Sequence, residues 1–314
     1  MAPTSEVLAD MAELRNQLKL KGLPYSELFK LQPVHALLDI AFDWALIFSA
    51  VAAAVWLHVG WAPLSVLVIS NRQRALGNIL HDAGHRNLWR DKKRNDLIAR
   101  TMVAPFLFSS LTRYRETHFQ HHLELGRVDG DPDLLPGQEG LPSHWMTSYL
   151  RCLVCWSTWM GSLGGHLFAG KVGLQSKLYI VGWWLCFIGA IAGLLGVEFA
   201  FGFLSLWLIA RATLFHCITT FREMCDHFGL HPGGVFGFTR DVVCHGPWRW
   251  IFHPRNNGYH LTHHLLPAVP YYRLPEAHDL LLGLPSFNER SHVCRSYFTM
   301  PTAVTSAWQS EAVT

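Results

Sequence analysis

Asn256-Asn257-Gly258-Tyr259-His260-Leu261-Thr262-His263-His264 is the stretch around which the chain is organised. Read as a helix, it sets His260, His263 and His264 at i, i+3 and i+4, so the three rings share one face. Imidazoles crowded together lose affinity for protons and gain a use when a cation takes their lone pairs. The same spacing recurs at His118, His121 and His122, and His81-Asp82-Ala83-Gly84-His85 places two more histidines at i, i+4. With histidine this frequent, H-x-x-H-H arises by chance about 0.07 times in such a chain. It occurs twice among 314 residues that include 19 histidines.

The composition places these clusters in a membrane protein. The chain is 50% hydrophobic and only 16% charged, against a usual charged share of about 25%. A net charge of +3 is too small to argue for nucleic acid. Arg72, Arg74, Arg86, Arg90, Lys92, Lys93 and Arg94 lie close together, however, and such a cluster marks a cytoplasmic side. Residues 1–30 are polar and carry no signal-peptide pattern; they are expected on that side, with a short amphipathic helix over 5–20 that ends at Gly22-Leu23-Pro24. Seven dispersed cysteines form no disulfide framework, and the single C-x-x-C, Cys152 and Cys155, reads as packing in a Trp-rich segment.

Hydropathy predicts an all-α integral membrane protein with four transmembrane helices in two hairpins. The first spans residues 37–57. The second starts at Pro63 and leaves the bilayer near Ser70, because Asn71, Arg72, Gln73 and Arg74 interrupt it; it then delivers His81 and His85 above the surface. Residues 95–111, broken by Pro105, fit an interfacial or re-entrant segment. Residues 145–169 fit an amphipathic surface helix. Residues 178–197 and 199–217 form the second hairpin, and 218–227 continue it out of the membrane. Four crossings return the chain to its starting side, so all three clusters and His227 share the cytoplasmic face. Residues after Phe228 form an extramembrane cap. The expected division is a cytoplasmic N-terminal segment (1–34), a membrane domain (35–290) and a C-terminal tail (291–314).

The clusters supply eight nitrogen ligands, more than one metal takes, so two metals are expected. His227, just past the fourth crossing, is the ninth candidate. Nine histidines with few carboxylates fit iron that must keep room for oxygen better than four-coordinate zinc. Soluble di-iron proteins use Glu and E-x-x-H ligands, a pattern this chain lacks. The isolated histidines, among them His35, His58, His144, His166, His216, His231, His245, His253, His278 and His292, read as structural or surface residues.

The order H-D-A-G-H (81–85), H-F-Q-H-H (118–122) and H-L-T-H-H (260–264) resembles the membrane fatty acid desaturase family. So do the flanking Arg113-Tyr114-Arg115-Glu116-Thr117, Asp131-Pro132-Asp133 and Leu265-Leu266-Pro267-Ala268-Val269-Pro270, and the likeness covers roughly residues 35–290. The resemblance implies a non-haem di-iron centre in the cytoplasmic cap that uses O2 to desaturate an unactivated C–H site of a fatty acyl or lipid-like substrate. It implies His81, His85, His118, His121, His122, His260, His263 and His264 as metal ligands, with His227 matching the family's additional histidine. Asn256 or Asn257, by the family's habit of an asparagine before the last box, and Asp82 and Glu223 beside ligand positions, are candidates to orient those ligands. It also implies a multi-pass protein with its active site and both termini on the cytoplasmic side. Two Fe ions are the cofactors and O2 the co-substrate, with no bound haem or flavin. The partners are the lipid bilayer and a separate electron donor, a ferredoxin or cytochrome b5-like protein with its reductase, and no nucleic acid.

Within the family, desaturation and hydroxylation share one iron centre and differ in how the substrate carbon is held. The chain is short for an acyl-lipid enzyme and is also similar in size to a rhizopine-oxygenase-like group acting on small metabolites, which keeps a hydroxylase or oxygenase of a non-acyl substrate open. His231-Pro232-Gly233-Gly234 mimics the haem motif of cytochrome b5 domains but reads as a loop, with a candidate ligand four residues upstream. H-D-A-G-H mimics the zinc motif H-E-x-x-H, but a zinc hydrolase leaves both H-x-x-H-H clusters idle. A metal transporter would place several ligands within the spans, where His216 stands alone.

Overall fold

The computed structural model describes residues 4–23, 25–137, 140–299 and 302–310; Pro24, part of the expected helix stop, lies outside them. The helices in chain order are α1 (Ser5–Leu20), α2 (Pro33–Ala52), α3 (Ala62–His85), α4 (Lys92–Ile98), α5 (Leu111–Leu123), α6 (Trp145–Leu153), α7 (Trp156–Gly164), α8 (Leu174–Leu195), α9 (Val197–Ala210) and α10 (His216–His227). Shorter elements follow: α11 (Gly234–Phe238), β1 (Arg240–Val242), α12 (Pro247–Phe252), α13 (His260–Leu265), α14 (Leu274–Leu281), α15 (Pro285–Arg290) and β2 (His292–Cys294). The chain divides into two units, one of residues 1–31, 115–152 and 220–314, the other of residues 32–114 and 153–219.

Three helices among the described residues are long and apolar enough to cross a membrane: Pro33–Leu57, Leu174–Leu195 and Val197–His227. The first is α2 extended by a π turn at Ala53–Leu57, and the last joins α9 and α10 through a π turn at Arg211–Phe215. The expected second arm, α3, has 24 residues but is too polar to join them. One of its charges, Arg72, is paired inside its own unit. Arg72 pairs with the wholly buried Asp43 at 2.8 Å, which lowers the cost of placing either charge among apolar helices.

In the unit of residues 32–114 and 153–219, α3 is tied to α9 by side chains that reach main-chain carbonyls. Gln73 Nε2 donates to Trp207 O at 3.1 Å, and Ser70 Oγ to Ala210 O at 3.3 Å. Aromatic rings fill the space around them. Phe106 lies 3.8 Å from Trp44 and 4.7 Å from Phe187 by ring centroids, so segments 104–108 and 181–187 serve packing. Residues 145–169, expected as one surface helix, form two helices instead. The chain breaks at Cys155, whose backbone is extended. The second helix is held by long-range bonds that outweigh local propensity: Arg211 Nε donates to Leu163 O at 2.9 Å, and Trp159 Nε1 to Ala212 O at 3.0 Å.

The unit of residues 1–31, 115–152 and 220–314 is built from short elements. Thr4 caps α1 through the Val7 N–H, and α1 buries Val7, Leu14 and Leu18 against this unit's core. The architecture departs from all-α where β1 and β2, the named strands among the described residues, pair in parallel with Asp241 opposite Val293. Neither segment is helical, and β1 bonds main chain on both sides, to β2 and to the backbone at Gly258 and Tyr259. The residues expected as a tail supply β2, and Val304 and Trp308 are wholly buried.

Candidate metal centre

Local geometry explains the first box. His81 and His85 close α3, one turn apart, with ring centroids 5.2 Å apart. Arg86 then ends the helix in the left-handed region, at φ 64°. The buried Asn95 braces this end by donating to Ala83 O at 3.1 Å and accepting from Leu88 N at 3.2 Å. Gly84 is small because a Cβ there would press on the Tyr114 ring at 3.3 Å.

The other seven candidate ligands lie in one unit and sort into two sets. His118, His122 and His263 form the first; His122 Nε2 stands 3.1 Å from His118 Nε2 and 3.2 Å from His263 Nε2. His121, His227, His260 and His264 form the second, all four buried, with donor atoms within 4.8 Å of one another. His260 Nε2 stands 2.9 Å from His227 Nε2 and 3.0 Å from His264 Nε2. The two H-x-x-H-H boxes contribute reciprocally: each gives its i and i+4 histidines to one set and its i+3 histidine to the other. On a helix, i+4 lies about 40° from i while i+3 lies about 60° to the other side, so helix geometry allows the split. The sets are neighbours, with His122 and His264 stacked at 4.1 Å.

Outer partners decide which nitrogen each ring presents. His121 Nδ1–H donates to Asp131 Oδ1 at 2.7 Å, and Asp131 also accepts the N–H groups of Gly126 and Asp133. His227 Nδ1–H donates to Phe238 O at 2.7 Å, a bond possible only with that nitrogen protonated. Each bond leaves Nε2 facing the set, as in metal sites where the second ring nitrogen is anchored. Burial alone would lower the His121 pKa, but the bond to Asp131 and the charges of Asp133, Asp131 and Asp226 raise it above 6.5. Burial would raise Asp131, yet its bond to His121, that ring's charge and the two N–H groups hold it below 3.8. Burial and the neighbouring rings of His122, His260, His121 and His227 push His264 well below its usual value, so it is neutral.

Neutral rings with lone pairs about 3 Å apart repel one another unless a cation lies between them. Two imidazole nitrogens bound at about 2.1 Å and at right angles stand about 3.0 Å apart, and at a tetrahedral angle about 3.4 Å. The spacings of 2.9–3.2 Å lie in the range that a shared cation spans, so the donor sets fit metal ions.

The remaining candidates take varied places. Asp82 is buried, its Oδ1 3.8 Å from His81 Nδ1, too long for a hydrogen bond. Glu223 is half-buried on α10. Asn256 donates to Tyr271 O at 3.1 Å and accepts from Arg249, so its amide braces the turn before α13 and does not meet a histidine ring. Asn257 is buried beside it in sequence, with no hydrogen-bond partner for Oδ1 among the described residues. The sequence assigned no role to Asp131, Asp226 or Asp241. Asp226 Oδ2 lies 3.6 Å from His260 Nδ1 and pairs with Arg222 at 2.6 Å. Asp131 had a signal in the Asp-Pro-Asp turn after the second box; Asp226 and Asp241 had none beyond their charge. Isolated histidines serve structure: His216 bonds Ser162 at 2.8 Å and His253 bonds Tyr297 at 2.7 Å.

A family model described as fatty acid desaturase matches residues 54–295. Dihydrorhizobitoxine desaturase of Bradyrhizobium elkanii is 26% identical over 285 residues, which cover 83% of this chain and 80% of that protein. The chloroplastic omega-3 fatty acid desaturase of Sesamum indicum is 24% identical over 75% of this chain and 58% of its own length. The sn-1 oleoyl-lipid 12-desaturase of a Synechocystis strain is 24% identical over 72% of this chain and 67% of its own length.

Proposed function

The chain belongs to the fatty acid desaturase family, and from that membership we propose that it is a membrane-bound, O2-dependent oxidoreductase whose clustered histidines hold two iron ions. The observation that carries the reading is the convergence of His121, His227, His260 and His264 from three helices, with donor atoms within 4.8 Å of one another and His260 Nε2 2.9 Å from that of His227 and 3.0 Å from that of His264. An all-imidazole donor set of this kind would suit iron. His118, His122 and His263 supply the other set, and His81 and His85 count as ligands by the family's three-box pattern. Asn257, with its unsatisfied buried oxygen, and Asp82 and Glu223 are proposed to act on the ligands from behind.

Bound iron supplies the O2 activation needed to break a methylene C–H bond. The chain's own residues do the rest. Asp131 and the Phe238 carbonyl hold protons on the Nδ1 atoms of His121 and His227, so that Nε2 of each is free to bind. The burial of the four-histidine set keeps water from competing for the oxidant. Electrons come from a separate ferredoxin or cytochrome b5-like donor with its reductase. The active site and both termini face the cytoplasm, on the side marked by the basic residues 86–94.

The reaction is desaturation of a fatty acyl or lipid-like substrate. A second reading, an oxygenase or desaturase of a non-acyl substrate, is favoured by one observation: the relative matched over 80% of its length is named for dihydrorhizobitoxine, while the omega-3 fatty acid enzyme is matched over 58%. Reconstituted protein with fatty acyl substrates, a donor system and O2 decides by mass spectrometry. Loss of two hydrogens supports the first reading, gain of one oxygen means hydroxylation, and no acyl product supports the second. Purified protein should hold iron, and His263→Ala should deplete iron and abolish turnover while the chain stays in the membrane. Zinc alone in the wild type would sink the di-iron reading.

A further inference from the structure

The third histidine box lies on a helix too short to hold itself. α13 has six residues, and its N-cap, Tyr259, makes no side-chain capping bond. A helix of this length is unstable alone, and its first N–H groups have no partners within it. One of them, the N–H of Thr262, is met from outside by Asp241 Oδ1 at 3.0 Å. Asp241 Oδ2 accepts the Thr262 hydroxyl and, at 2.7 Å, His278 Nδ1–H. The three side chains are 0%, 0% and 4% exposed, so this is an interior network with its charge fully bonded.

The carboxylate is itself held in place. Asp241 is the middle residue of β1, opposite Val293 of β2, and its backbone bridges Tyr259. Val242 N donates to Gly258 O at 2.7 Å. Thr262 is therefore fixed through both its backbone and its side chain to a rigid strand. A single bond would let the helix pivot; two bonds to one carboxylate oppose rotation. Rotation is what the ligands cannot tolerate, since His263 turns to one donor set while His260 and His264 turn to the other.

We propose that Asp241, backed by His278, is a positioning residue for the metal centre: its carboxylate sets the rotation of α13 and thereby decides which histidine faces which donor set. The inference rests on the reading of the histidines as metal ligands. Its consequence is distinctive. Loss of the clamp disturbs both sets at once, because α13 serves both.

The test uses the full-length protein in detergent with Co2+ as a visible probe, so that no turnover is needed. Affinity is measured against a competing chelator and coordination by the ligand-field bands of bound cobalt. Asp241→Asn is expected to weaken Co2+ binding by at least about tenfold and to shift those bands, with the far-UV circular dichroism unchanged. Thr262→Ser, which keeps the hydroxyl, is expected to match the wild type, and Thr262→Val to fall between. A merely structural role would lower the melting temperature and leave the bands where they are, and that result, or wild-type affinity in Asp241→Asn, overturns the proposal. Should Asp241→Asn fail to fold, Thr262→Val decides, with wild-type affinity and bands overturning it. A wild-type chain that binds no Co2+ overturns the metal reading itself, a failure visible before any variant is made.

Discussion

His121 and Asp131 are joined by a 2.7 Å hydrogen bond from a ring Nδ1–H to a carboxylate oxygen, both side chains being buried. The bond fixes the ring so that its other nitrogen meets those of His227, His260 and His264. Removing the charge with Asp131→Asn is expected to cost about 10–100-fold in metal affinity. A competition titration reads it, and unchanged affinity would show that the carboxylate does not orient this ligand.

The same pair is expected to make metal binding pH-dependent. The His121 pKa is raised above 6.5, so in the metal-free protein its stabilisation is complete below that value and fades as pH rises through the raised pKa. Asp131 is lowered below 3.8, so its share is present above that value and fades as pH falls through the lowered one. The metal-free pair is thus strongest between these limits, where a cation must displace the His121 proton. The rise in melting temperature on adding Co2+ is expected to be larger at about pH 8 than at about pH 6. Equal rises at both would contradict this.

Asp10 connects the N-terminal helix to the candidate ligand His227 through α11. Its Oδ2 accepts the N–H groups of Val235 and Phe236 at 2.7 and 3.3 Å, and Oδ1 pairs with Arg290 at 2.6 Å. Gly234, at φ 82°, leaves the room this carboxylate needs. The clamped helix, α11, ends at Phe238, whose carbonyl anchors His227. Asp10→Ala is expected to destabilise the protein by about 1.5–3 kcal/mol, the worth of a charged hydrogen bond. It should also reduce metal content. A thermal melt and metal analysis on one preparation check both, and a variant with wild-type values in each refutes the link.

His166 imposes an acid limit. Its Nδ1 accepts the Ser110 N–H at 2.9 Å, which requires a neutral ring. Burial first, and the nearby Arg113 charge second, lower its pKa to about 4. A depressed pKa stabilises above the unfolded value of 6.5 and is lost as pH falls towards about 4. His166→Gln is expected to lose less stability than the wild type over that interval, by up to about 3 kcal/mol. Melting curves of both proteins against pH give the difference, and parallel curves would disprove it.

Close helix packing makes Gly202 intolerant. A Cβ there would overlap Val55 Cγ2, whereas Gly193 has nothing within 4 Å. Gly202→Leu is expected to cost about 1–3 kcal/mol through overpacking. Gly193→Ala should be neutral or slightly stabilising. Melting in detergent checks the pair, and equal behaviour of the two variants would refute the argument.

The three boxes and the long apolar helices were legible because both are local patterns. Ligands at i, i+3 and i+4 and runs of apolar residues depend only on helix geometry and hydropathy. Their limits show at α3, whose buried ion pair between Arg72 and Asp43 no window of sequence displays, and at Cys155, where long-range bonds break a helix that periodicity continues. The parallel pairing of β1 with β2 joins residues about fifty positions apart and left no sign in either strand.

By itself the sequence determined that histidines cluster at metal-binding intervals within an apolar, charge-poor chain, since each box carries its own face on its own helix. Only the tertiary structure decided how His121 parts from His118 and His122 to join His227, His260 and His264. It also decided that Asp131, Asp226 and Asp241 stand behind them. The physical reason is that such a set is a meeting of separate helices and loops, and the rings of His121, His227 and His260 face partners 10 to 34 positions away.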